Sequence, residues 1–140
     1  MDIRKINNLK IRLTTTEDYQ ELVSWWKWHR FTPPNIDMLP NSLKDGIMIS
    51  INEINCCAGF IYRTPSSFCW CEYIVSNPEI KDKSIRTEAL CLLINNITEL
   101  ARKMGFKIIF TSVKNQNLIN KYQSCGYAKG TSTIEMIKEL

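Results

Sequence analysis

The chain has 140 residues, 44% of them hydrophobic and 23% charged, with a formal net charge of +4. That is the composition of one soluble globular domain, residues 1–140, long enough to bury a core without disulfides. It excludes a membrane-spanning chain, since no apolar run reaches span length, and it gives no focused basic stripe of the kind nucleic acid requires. The opening stretch MDIRKINNLK lacks the apolar segment of a signal peptide, so the expected location is the cytoplasm.

Six cysteines and a single histidine complete the picture. No Cys-x-x-Cys pair occurs, and no metal site is expected. The cysteines read as small core hydrophobes in a reducing compartment. The mild excess of positive charge suits a small anionic ligand.

In chain order, Leu9, Ile11 and Leu13 alternate with polar residues and predict a strand. Thr14 and Glu17 have capping-box spacing, and Tyr19, Leu22, Val23 and Trp26 recur at helical intervals. This helix runs into the aromatic cluster Trp25, Trp26, Trp28, His29 and Phe31, and Pro33-Pro34 forbids its continuation. Residues 32–45 read as a loop with one short helical turn near Asp37–Leu39. Three strands follow: one through Ile47, Ile49 and Ile51, one over Cys57–Arg63, and one over Phe68–Ser76. Asn52–Asn55 and Thr64–Ser67 supply turns, so these neighbours pair antiparallel.

The stretch NPEIKDKSIRTEAL, residues 77–90, opens the clearest helix, whose apolar face is Leu90, Leu93, Ile94, Ile97, Leu100, Ala101 and Met104. Gly105 is placed to end it. Lys107–Val113 is a strand, parallel to Phe68–Ser76 because a helical crossover joins them. A shorter helix covers about Asn117–Ser124, and the tail offers strands at Tyr127–Lys129 and Ser132–Ile137. The resulting class is α/β (α+β) with one mixed sheet flanked by helices.

This order resembles the GNAT superfamily of acyl-CoA-dependent N-acetyltransferases. YIVSNPEIKDKS is similar to the end of the family's fourth strand and its pyrophosphate loop, Gln/Arg-x-x-Gly-x-Gly/Ala. NQNLINKYQSCGY, residues 115–127, is similar to its N-x-x-A-x-x-L-Y-E-K-x-G-F pattern, with Asn115, Tyr122, Gly126 and Tyr127 on the asparagine, tyrosine, glycine and aromatic. Compact phage and bacterial members look similar around WW…PP…LP and SNPE. The loop departs from the pattern: Lys81 takes the Gln/Arg place, Ser84 and Arg86 replace the small residues, and Asp82 stands where glycine is common.

The resemblance implies acetyl-CoA as cosubstrate and a primary amine as acceptor. It implies cofactor contacts from the backbone of Ile74, Val75 and Ser76, from Lys81, Lys83, Ser84 and Arg86, and from Asn115. Lys81, Lys83 and Arg86 would add charge-assisted hydrogen bonds to phosphate, and Ser84 would serve as the helix N-cap. Asp82 and Glu88 oppose them with negative charge. By resemblance Tyr122 protonates the departing thiolate; its alternative role is ring packing. Asn115 either orients ligand or only caps a helix, with Asn117 competing for both roles.

Period-two alternation puts Glu72 on the face of Phe68, Trp70 and Ile74, where a desolvated carboxylate would have the raised pKa of a general base. Otherwise it pairs with an arginine or lies on a locally exposed face. Trp25, Trp28, His29 and Phe31 form the expected acceptor wall. The same residues would also close one end of the core or form a homodimer patch. The rival to an enzyme is a GNAT-fold binding module with a degenerate pyrophosphate loop and no catalysis.

Overall fold

A computed structural model describes residues 8–140; residues 1–7, which carry most of the stretch read for a leader, lie outside the described residues. The elements are β1 (Leu9–Leu13), α1 (Tyr19–Trp28), β2 (Gly46–Ile51), β3 (Ile54–Tyr62), β4 (Phe68–Ser76), α2 (Lys83–Lys103), β5 (Ile108–Thr111) and α3 (Gln116–Ser124). They form one mixed sheet in the order β1-β2-β3-β4-β5, antiparallel from β1 to β4 and parallel between β4 and β5. This is the expected class, and the directions from β2 to β5 are those expected; the pairing of β1 with β2 was not foreseen.

Helices cover both faces. On one, Ile47, Ile49, Cys57, Ile61, Cys69 and Cys71 pack under Leu93, Ile94, Ile97 and Ala101 of α2. On the other, Met48, Ala58, Phe60 and Val75 pack under Leu22, Trp25 and Trp26 of α1, with Leu39 and Leu43 closing the edge. The two period-two sets of the central strands β2, β3 and β4 thus serve two cores, because these strands are covered on both sides.

Several local expectations are corrected. The start of α1 is built one residue later than the Thr14/Glu17 spacing implies. Thr15 N–H donates to the Asp18 carboxylate at 2.9 Å, and Arg12 of β1 grips both Asp18 oxygens at 2.8 and 2.9 Å. Burial opposes ionisation of Asp18, but the Arg12 and Thr15 hydrogen bonds outweigh it and hold the carboxyl below its ordinary pKa. Thr14 is buried instead and gives its hydroxyl to the Leu43 carbonyl. The loop after α1 contains two 3-10 turns, Ile36–Met38 and Pro40–Leu43, where one was expected.

The β2–β3 turn is only Asn52-Glu53, both at positive φ (51° and 66°), so β3 starts at Ile54 rather than Cys57. Two central residues at positive φ match the right-handed strand twist. The tail strands at Tyr127–Lys129 and Ser132–Ile137 are absent, and among the described residues the sheet ends at β5. Gly126, at φ 93°, turns the chain back so that Tyr127 N–H donates to the Tyr122 carbonyl at 3.0 Å. Beyond it Ile134, Met136 and Ile137 are 83–90% exposed. Alternation alone makes no strand without an adjacent edge to complete the ladder.

Candidate active site

β4 is nine residues long and β5 four. Their parallel pairing runs from Phe68↔Ile108 to Cys71↔Thr111 and stops, so Glu72–Ser76 has no β5 partner. The other edge of β4 is irregular at the same level. Pairing there passes from Phe60↔Glu72 to Ala58↔Val75, which leaves Gly59 opposite both Tyr73 and Ile74, with Tyr73 at φ 60°. A bulge of this kind bends its strand, and it falls just where the β4–β5 ladder ends. Gly59 permits it: a Cβ there would stand 2.7 Å from Ile74 Cγ1 and 2.9 Å from Ile97 Cδ1.

The bulge also corrects the alternation argument. Glu72 shares a face with Phe68 and Trp70 as expected, but Ile74 has crossed to the α2 side and packs against that core. Tyr73 takes the vacated place on the α1 side, beside Trp26, Phe31 and Tyr62, with ring centroids 6.1, 6.1 and 6.2 Å away.

At the apex of the fork sits Tyr122. It is buried, its hydroxyl oxygen 3.4 Å from Cys71 Sγ and accepting from Thr111 Oγ1 at 3.4 Å. These are the two residues of the last β4–β5 pair. Burial, reinforced by the neighbouring Cys71 thiol, raises the phenol's pKa well above its ordinary value and keeps it protonated at neutral pH. Burial likewise pushes the Cys71 thiol up to about 12. Tyr122 is therefore core and site at once: its ring packs at 4.9 Å from Tyr127 while its hydroxyl marks the fork.

Glu72 meets the fork from the opposite face. Its Oε1 accepts the Ser112 N–H at 3.1 Å, bridging the two chain segments just beyond the last pair. Burial raises its carboxyl pKa, the Ser112 hydrogen bond pulls the other way, and Glu135 of the tail adds a like charge that raises it further. Among the described residues no arginine holds it in an ion pair.

The remaining expected residues divide by position. Asn77 N–H donates to the Cys56 carbonyl, toward β3, so alternation turns Ser76 toward the open side. There the Ser76 carbonyl lies 2.9 Å from His29 Nε2. Ser76 is five residues from Cys71, about 16 Å along the strand. The structure therefore does not bring His29 to Tyr122. Trp28 stands edge-on to His29 and is 63% exposed. Trp25 is core at 3% exposure and lends only an edge to a cavity of about 310 Å³, lined also by Glu21, Trp28, Asn77, Glu79 and Lys81. Phe31, half exposed, is the one member of the expected acceptor wall that reaches the bulge.

The turn into α2 differs most from its expected form. Asn77 organises it, taking Glu79 N–H on its Oδ1 at 2.9 Å and donating to the Asn55 carbonyl at 2.8 Å. The N-cap is Asp82, not Ser84: Asp82 Oδ1 accepts from Ser84 N–H at 2.9 Å and Ile85 N–H at 3.2 Å. An acidic cap is favoured over Ser84 because it satisfies two amides and complements the positive end of the helix dipole. Lys81 Nζ donates to Pro78 O at 3.1 Å and Arg86 Nη1 to Ile80 O at 3.4 Å, while Lys83 is exposed. All three basic groups ring the turn, and the helix amides at its centre are taken by the chain's own carboxylate.

Asn115 caps α3 through Leu118 N–H at 3.1 Å, which decides between it and Asn117 for that role. Among the described residues no group of three or more His, Cys, Asp or Glu is placed to hold a metal ion, and no helix is long and apolar enough to cross a membrane. Sequence reading missed Tyr73, Thr111 and Glu135. A glycine inside a strand pattern, Gly59, was the available signal for the first, since such glycines mark bulges. Nothing local signals the other two.

No protein-family model matches the chain, and no curated protein matches it in sequence. Solved structures do. N-acetylglutamate synthase from Neisseria gonorrhoeae, complexed with coenzyme A and L-arginine, superposes with a TM-score of 0.71 at 12% identity over 88% of this chain. The chain spans only 28% of that synthase's length. The aminoglycoside N-acetyltransferase AAC(6')-Iy, in complex with CoA, has a TM-score of 0.64 at 13% identity and covers 95% of this chain and 96% of its own. Glucosamine-6-phosphate N-acetyltransferase from Arabidopsis thaliana has a TM-score of 0.63 at 11% identity, covering 95% and 100%. The chain has the GNAT acetyltransferase fold.

Proposed function

We propose that the protein is a cytoplasmic N-acetyltransferase that moves the acetyl group of acetyl-CoA to a primary amine. The observation that carries this reading is the fork itself: β4 and β5 part at Cys71↔Thr111, and the protonated Tyr122 hydroxyl is held at that point. Neighbours with this fold were crystallised with coenzyme A. On the side of β4 that β5 does not cover, the main chain of Ile74 and the N–H of Ser76 offer the pantetheine amides a strand edge to pair with, while the Ser76 carbonyl is held by His29.

The acid and base fall on opposite faces of the sheet at one level. On the α3 side, Tyr122 donates its proton to the thiolate as the C–S bond breaks. On the α1 side, Glu72 ionises and accepts the proton of the ammonium, freeing the nitrogen lone pair to attack the carbonyl carbon. Tyr73 and Phe31 wall the acceptor side, and their faces suit a cationic amine. Lys81, Lys83 and Arg86 hold the diphosphate, with Ser84 and Ile85 N–H available once Asp82 turns outward.

One observation favours a second reading. The Asp82 carboxylate already holds the two amides that the diphosphate would use, which is what a binding module with a retired cofactor site would show. Titration calorimetry with acetyl-CoA separates the two. The enzyme reading expects saturable binding together with coenzyme release when a panel of primary amines is added. Absence of binding at millimolar acetyl-CoA leaves the interaction module.

A further inference from the structure

Four of the six cysteines, Cys56, Cys57, Cys69 and Cys71, are buried, whereas Cys91 and Cys125 are half-buried. These two belong to different helical segments, 34 residues apart in sequence, and they meet. Cys125 Sγ lies 3.9 Å from the Cys91 carbonyl oxygen, and the Cys91 thiol is near enough to act on the protonation of Cys125. A second contact sits on the same face of α2. Thr98, seven residues and two turns beyond Cys91, has its Oγ1 2.7 Å from Tyr127 Oη. The end of α3 and the residues just after it are therefore pinned to α2 at two points, and one of them sets the Cys125 sulfur against Cys91.

We infer that Cys91 and Cys125 form an oxidisable dithiol, a site that reacts with low-molecular-weight disulfides of the glutathione class and closes to an α2–α3 crosslink. One cysteine, as thiolate, attacks a sulfur of the oxidised reagent, breaking its S–S bond and releasing one glutathione thiolate. The second cysteine thiolate then attacks the protein sulfur of the mixed disulfide and releases the second glutathione. Two electrons pass from the protein pair to the reagent, and the two cysteine protons end on two glutathione thiols. Burial raises the pKa of the Cys125 thiol and nearby Lys121 lowers it, so the reaction speeds up as pH rises. The buried cysteines are closed to the reagent. Because Cys125 follows Tyr122 by one turn, the crosslink fastens the segment that carries the fork's hydroxyl.

The test uses the intact folded protein, oxidised glutathione as the reagent, and alkylation before peptide mapping without reduction. The expected result is one crosslinked peptide joining positions 91 and 125 and an intact mass lower by two hydrogens. Cys91→Ser and Cys125→Ser should each abolish the crosslink and retain a single glutathione on the remaining partner. Phenylarsine oxide is the second probe. Wild type should bind one equivalent, and each serine variant should bind it roughly a hundredfold more weakly, because two-point attachment is lost. Glutathione accumulating separately on both cysteines, or a crosslink joining any other pair in the folded state, overturns the inference. If a serine variant does not fold, wild-type mapping and the arsenical stoichiometry decide it.

Discussion

The sharpest consequence concerns the charge of Asp82. Its Oδ1 holds Ser84 N–H at 2.9 Å and Ile85 N–H at 3.2 Å, so an incoming diphosphate must displace it and then lie beside it. Replacing Asp82 by Asn separates charge from capping, because Asn caps a helix about as well as Asp. The helix should keep its stability, with a melting temperature within a degree or two. What disappears is repulsion between like charges. At about 4 Å in water-like surroundings that is on the order of 1 kcal/mol per unit charge, and every ~1.4 kcal/mol is tenfold in affinity. The dissociation constant for acetyl-CoA should therefore fall about fivefold in titration calorimetry. The gain should shrink toward nothing at 1 M salt, where the screening length is ~3 Å. Lys81→Glu should act in the opposite sense. If Asp82→Asn leaves the affinity unchanged and Lys81→Glu does too, the diphosphate does not lie at the start of α2.

Other outcomes follow from the same geometry. Tyr122→Phe keeps the ring against Tyr127 and removes the hydroxyl, so kcat should drop by roughly 10²–10⁴ while acetyl-CoA affinity stays within about twofold, read from steady-state assays with primary amines. Glu72 has a raised pKa and works as the carboxylate, so kcat/KM should climb with pH through its titration; Glu72→Gln should erase that acidic limb. Asp18 has a lowered pKa, so its contribution is fully present above the ordinary carboxyl value and is lost as pH falls through the folded value. Arg12→Leu should accordingly destabilise the fold by about 1–3 kcal/mol at neutral pH in urea unfolding, the half-exposed guanidinium keeping the loss below that of a fully buried pair, and by little once pH has fallen through the lowered Asp18 pKa. Gly59→Ala forces Ile74 and Ile97 aside at the bulge and should cost about 1–3 kcal/mol in the same assay.

The amino-acid pattern alone determined the strand and helix order from Leu9 to Ser124, the direction of pairing from β2 to β5, and the apolar face of α2, because periodicity, caps and crossovers are local properties. It also picked out Tyr122 and Glu72 as residues of interest. Tertiary structure decided the rest. The tail pattern at Ser132–Ile137 is as regular as that of β1, yet it forms no strand, because a ladder needs a neighbour and sequence does not say where neighbours lie. Ser84 and Asp82 are both good caps in isolation; Asp82 took the place because one carboxylate oxygen reaches two amides. His29 and Phe31 are two residues apart in the chain, but one lies at the far end of β4 and the other at the bulge. The ladder between β4 and β5 ends beside a single extra residue opposite Gly59, and only the register of the assembled sheet reveals that residue, because it depends on how β3 and β4 meet.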